Sequence, residues 1–227
     1  MKNTRKLIPA LAMLLIAAVM MSTATFAWFS MNQQVTATGL QVTAKSDNVW
    51  LAINAGSSFD ANGTAKEVSS TQEEVKLFPV MPKVDPLTVD NVTLPASWQF
   101  GYSNATDSSD VNSEGYTECA TLDGYVASET FSIGLSNISG AASASNLRLT
   151  KVELPADTGI SVVVVCGDNV YLHTDSASGL NEQIAATVTT AGVTVTVYYF
   201  INGEDDMVYT DRVAELTGKV VLTFNVG

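Results

Sequence analysis

His173 is the only histidine in the chain, so any chemistry that needs an imidazole has one position available. A structural zinc site draws on several His and Cys ligands, and no Cys or second His lies near His173 in sequence. A Ser-His-Asp arrangement would find Ser and Asp in abundance, but no G-x-S-x-G turn marks a nucleophile. The plain expectation is a histidine at a hairpin edge, in a protein that is not an enzyme. Asp107, Asp110, Asn112 and Glu114 fall in one loop and offer the oxygen ligands that calcium takes. Their spacing is not that of an EF-hand loop. A solvated acidic loop is the simpler reading, and Glu204, Asp205 and Asp206 pose the same choice. No other cofactor is indicated. Trp50, Trp98, Tyr198 and Tyr199 could stack on a sugar ring, although aromatics in β-rich domains more often pair across strands or fill cores. Cys119 and Cys166 are the only cysteines; in an exported protein they can pair, or each can be a separate buried thiol.

Export is written into the N-terminus. Lys2, Arg5 and Lys6 precede an apolar run from Leu7 to Met21, and Ser22–Ala27 supplies small residues around Phe26. This is the order of a secretory signal peptide, with a helical apolar core and a cut after Ala27 that leaves Trp28 first. The competing arrangement is an uncleaved anchor, which would be the chain's only membrane attachment. The strictly apolar run is shorter than the roughly 20 residues that a spanning helix needs. The expectation is therefore a signal peptide over 1–27 and a secreted, extracellular or cell-surface domain over 28–227.

Beyond Ala27, eight bases face 23 acids, a net charge of about −15. No basic patch interrupts this, so a nucleic-acid partner is excluded. Val, Thr, Ser, Ala and Gly dominate, a composition that favours strands and turns. Gln34–Ala44 alternates with a phase break at Gly39, which predicts a long kinked strand. Further strands are predicted over Asn48–Ile53, Trp98–Tyr102, Gly124–Leu135, Leu147–Leu154, Val170–His173, Val193–Ile201 and Lys219–Val226. Ile160–Cys166, ISVVVVC, is an apolar run broken only by Ser161, the pattern of a strand buried on both faces. Pro79, Pro82 and Pro86 confine Val75–Val92 to short edge pieces. Long loops are expected at about 54–74 and 103–118, a small-residue loop over Asn137–Asn146, and a short helical turn around Arg212–Leu216. Eight to ten strands with long loops predict an all-β, antiparallel β-sandwich of jelly-roll or Greek-key type.

Two stretches carry a resemblance. Ala24-Thr25-Phe26-Ala27-Trp28-Phe29 followed by Val35-Thr36-Ala37-Thr38-Gly39-Leu40-Gln41-Val42 resembles the start of TasA/camelysin superfamily proteins. Tyr198–Asp206 with Val208-Tyr209-Thr210 is similar, more softly, to secreted relatives in Gram-positive anaerobes. The resemblance implies a jelly-roll subunit of extracellular fibres in biofilm matrix, released by a dedicated signal peptidase. It implies further that a freed N-terminal segment completes the sheet of the next subunit. Trp28, Phe29, Val35, Ala37, Leu40 and Val42 are the residues that would serve as donor. The residues themselves suit that role: aromatic anchors, alternating small apolar side chains and no charge before Lys45. The metalloprotease activity attributed to some relatives does not carry over, because the chain has no H-E-x-x-H. The expected partners are copies of the chain itself, then other matrix or surface proteins, which would supply wall attachment in the absence of an L-P-x-T-G motif. The alternative is a secreted adhesin or carbohydrate- or protein-binding module using the loops around Ser103–Glu118.

Overall fold

Short runs of β-branched and aliphatic residues, punctuated by Gly, Asn and Asp, fold here into strands and almost nothing else. The computed structural model describes residues 35–37, 40–45, 50–63, 65, 67–69, 75–84, 87–101, 116–205, 208 and 219–226. The strands are β1 (Val35–Ala37), β2 (Leu40–Lys45), β3 (Leu51–Ala55), β4 (Glu67–Ser69), β5 (Val75–Leu77), β6 (Met81–Pro82), β7 (Trp98–Gly101) and β8 (Tyr116–Glu118). They continue as β9 (Val126–Leu135), β10 (Ser143–Glu153), β11 (Ile160–Cys166), β12 (Asn169–His173), β13 (Ala177–Thr189), β14 (Val193–Ile201) and β15 (Val220–Val226). One helical turn, Val89–Val92, and two 3-10 turns complete the described elements. No described helix is long and apolar enough to cross a membrane.

Ten strands form two five-stranded sheets. Sheet I has the order β13-β10-β15-β2-β4 and sheet II the order β12-β11-β14-β9-β3. Their facing sides share one core. Leu147, Leu149, Leu222 and Phe224 of sheet I meet Phe131, Ile133, Val162 and Val197 of sheet II, and Phe131 and Phe224 touch edge to face at 5.8 Å. The result is an all-β, sandwich-like protein. Within the two sheets every strand pair is antiparallel except one: β2 runs parallel to β15, with Leu40 opposite Val220 and Lys45 opposite Asn225.

A second apolar cluster lies on the other side of sheet II. β6, β7 and β8 form a small sheet that, with the Val89–Val92 turn, covers the outer faces of β11 and β14. Trp98 is fully buried there, its ring edge-on to Phe200 at 4.9 Å and its Nε1 donating to the Val92 carbonyl at 3.0 Å. The apolar run Ile160–Cys166 is explained by this layering. Val162 and Val164 point into the main core, while Val163 packs in the second cluster. A strand with a core on each side has no polar face to show.

Beside the small sheet, a loop after β3 closes over sheet II. Phe59 lies against Gly134 of β9 and against Gly192, which precedes β14. A Cβ on Gly134 would stand 2.5 Å from the Phe59 ring, and one on Gly192, where φ is +72°, would stand 2.6 Å from the Phe59 Cβ. Only glycine admits the ring that close to the strand backbone.

Several boundaries move from their expected places. The kinked strand is two strands, since β1 pairs with β5 and β2 with β15 and β4. The second strand begins at Leu51 rather than Asn48 and runs on to Ala55. The loop expected over Asn137–Asn146 ends early. β10 already pairs with β13 from Ser143, where backbone hydrogen bonds outweigh the weak propensity of Ser, Ala and Asn. Edge pieces stand where the prolines required them, as β5, β6 and a bridge from Val80 to Asn202. Residues 1–27 and the turn expected around Arg212–Leu216 lie outside the described residues.

Candidate functional site

Leu40 and Val42 are the donor candidates that the structure places most fully. Both are buried, at 5% and 1% exposure, and belong to the main core of their own chain. β2 fills a slot in sheet I, flanked by β15 over its whole length and by β4 over Gln41–Thr43. Val35 and Ala37 lie in β1, opposite Leu77 and Val75 of β5. Trp28 and Phe29, and the cleavage site Ala27–Trp28, lie outside the described residues.

His173 sits at the opposite side of the sandwich, in a row the sequence did not suggest. Three alternate residues of β12 reach across to β13, the edge strand of the other sheet. Asn169 Nδ2 donates to the Ile184 carbonyl at 3.1 Å, Tyr171 donates its hydroxyl to the Gln183 carbonyl at 2.9 Å, and His173 Nε2 lies 2.9 Å from Glu182 Oε2. Alternation in β12 puts residues 169, 171 and 173 on one face, which is why they act as a row. Burial raises the Tyr171 pKa, and the Glu182 carboxylate adds to it; Arg148 and the bond to Gln183 oppose the shift. This row works as a clasp between sheets. His173 is buried and partnered by a carboxylate, and among the described residues no serine hydroxyl is hydrogen-bonded to it.

No family model, curated protein or solved structure matches the chain. The geometry of its own residues is therefore the ground for a functional reading.

The remaining candidates disperse. Trp50, Trp98, Tyr198 and Tyr199 do not form a platform. Trp98 is buried in the second cluster, Tyr199 faces the main core, and Tyr198 packs on the opposite side of β14. Neighbours on one strand point to opposite faces, so Tyr198 and Tyr199 cannot share a surface. A different set of rings comes together instead: Phe100 stacks on Tyr125 at 5.1 Å, and Phe78 meets Tyr125 at 5.7 Å. Asp107, Asp110, Asn112, Glu114 and Asp206 lie outside the described residues. Among the described residues, no three His, Cys, Asp or Glu side chains converge in a metal-binding group.

Cys119 and Cys166 are both free and buried, so the pairing left open by the sequence is not formed. They belong to different cores, Cys166 to the main one and Cys119 to the second. Burial pushes both thiols up, Cys119 to about 12. Neither is a thiolate at neutral pH, and a thiol reagent is expected to label neither in the native protein and both in denaturant. The same burial makes the fold sensitive to base. Cys119 ionises near 9.0 when unfolded and near 12 when folded. Above pH 9 the unfolded chain loses this proton first, so the stability this group contributes is fully present below pH 9 and declines as the pH rises toward 12. Cys119→Ala should flatten that limb in denaturant titrations carried out between pH 8 and 11; an unchanged slope would assign the alkaline loss to other groups.

Proposed function

We propose that the protein is a secreted structural subunit of extracellular or cell-surface fibres of a biofilm matrix, assembled by exchange of its N-terminal strand between copies. The observation that carries this reading is the setting of β2. It supplies Leu40 and Val42 to the core, yet it is the parallel member of two otherwise antiparallel sheets. Parallel pairs are slightly less stable per residue than antiparallel ones. A strand held in this way can be replaced by the same strand of a neighbouring copy, with the same side chains filling the same slot. The strand order supports a jelly-roll reading: β13-β10-β15-β2 faces β12-β11-β14-β9, with β2 entering in the reversed sense. Export by the N-terminal signal and release of Trp28 would make the donor available only outside the cell. An uncharged donor segment also suits a subunit whose net charge otherwise keeps copies apart.

The test is negative-stain electron microscopy of Trp28–Gly227 after concentration and mild acidification. Regular fibres are expected, and deletion of Trp28–Asn32 should abolish them and leave a folded monomer. A strictly monomeric wild type, or fibres indifferent to the deletion, would overturn the reading. Mass spectrometry of cell-associated protein tests release separately, since a peptide still carrying Leu14–Met21 would argue against the cut.

A further inference from the structure

The longest described strand lies at a sheet edge, where it could be copied by another chain. β13 is 13 residues long and, among the described residues, pairs on one side only, with β10. Its second half, Gln183–Thr189, contains no charge, no proline and no glycine, and Ile184, Thr187, Val188 and Thr189 are β-branched. A long uncharged edge of this composition is a ready template for strand addition. A second copy of this chain is the occupant it fits. Two exported molecules of net charge about −15 repel each other over most approaches, but here they meet without bringing like charges together. Antiparallel pairing of β13 with β13 about a two-fold axis is also self-complementary, each residue of one copy facing its counterpart in the other.

The main chain of this edge is already engaged. The Ile184 and Gln183 carbonyls accept from Asn169 and Tyr171 of β12, and the Asn181 carbonyl accepts from Arg148 at 3.0 Å. A side-chain donor seated on a carbonyl takes one of its two lone pairs and competes with an incoming strand for that oxygen. The register between β10 and β13 also shifts twice, after Leu147 and after Leu149, and such irregularities twist an edge out of line.

We propose that β13 is a latent self-pairing edge, and that the Asn169–Tyr171 clasp keeps it from joining edge to edge with a second copy. The clasp is thus a guard on assembly, separate from the N-terminal exchange proposed above. Removing its donors leaves two acceptors that either water or a second β13 can satisfy.

The test uses the exported chain carrying Asn169→Ala and Tyr171→Phe, which removes both donors and keeps the aromatic ring. Light scattering at neutral pH, over a concentration series in which the wild type stays monomeric, should show the variant's mass doubling. Hydrogen exchange of the amides in 183–189 should slow at least tenfold in the dimer. Adding Ala186→Lys places a charge on an exposed position of the edge, and should return the variant to a monomer. Fibres built through the N-terminal segment would be indifferent to Ala186→Lys and lost on deleting Trp28–Asn32, so the two proposals fail separately. A variant with wild-type near-ultraviolet circular dichroism that remains monomeric would overturn the inference, as would association that survives Ala186→Lys. If the double variant does not fold, Tyr171→Phe alone, which removes a single hydroxyl, is read in the same way.

Discussion

Replacing Trp98 with Ala is expected to cost about 3–5 kcal/mol of stability, the range for emptying a large aromatic from a core. Its side chain is fully buried, meets Phe200 edge to face at 4.9 Å, and donates its only polar hydrogen to Val92. The substitution therefore removes the ring contact, leaves a cavity, and leaves the Val92 carbonyl without that donor. The loss should be uneven. Trp98 anchors the small sheet and the Val89–Val92 turn onto sheet II, while the main core lies on the far side of that sheet. Amides of β7 and β8 should exchange faster before those of β10, β14 and β15 change. Chemical denaturation should show either a lower midpoint or a separate early transition. Exchange that accelerates equally in every strand would mean that the two clusters unfold as one unit.

Phe224→Ala should also cost about 3–5 kcal/mol, but with a different distribution. Phe224 is fully buried on β15, which has β10 on one side and β2 on the other, and its ring touches Phe131 of the opposite sheet. A cavity at that point loosens both sheets together, so protection in all the long strands should fall in step. For a domain of this size the melting temperature should drop by roughly 6–20 °C. Phe224→Leu, which refills much of the volume, should recover most of the loss. A loss confined to β15 and β2 would show that the two sheets do not share one cooperative core.

The strands that sequence revealed best are those with a simple relation between pattern and burial. Val193–Ile201 alternates and is β14 with its predicted bounds; Ile160–Cys166 is apolar but for Ser161 and is β11, packed on both faces. Gly167, with φ at +55°, turns Cys166 back onto Asn169 in the hairpin expected there. β13 escaped notice although it is the longest described strand. Its edge position leaves many side chains in solvent, and the register shifts against β10 break the two-residue period that would have marked it. The clasp was hidden for the same reason. Asn169, Tyr171 and His173 share one face of β12, but their partners lie on that unrecognised strand. The aromatic platform failed because composition does not say which face a ring occupies: Tyr198 and Tyr199 are adjacent in sequence and separated by a sheet.

The pairing of β2 with β15 sets a clock on folding. Leu40 finds Val220 as its neighbour, so the first strand of sheet I cannot be joined to that partner until about 180 further residues exist. At common rates of synthesis, roughly 5–20 residues per second, that is an interval of about 10–40 s. Throughout it, β15 is missing from between β2 and β10. A chain that emerges N-terminus first thus carries Leu40 and Val42 without their final sheet until its last strand arrives. Refolding of the complete chain should accordingly be slow, and sheet I should be the last region to gain hydrogen-exchange protection.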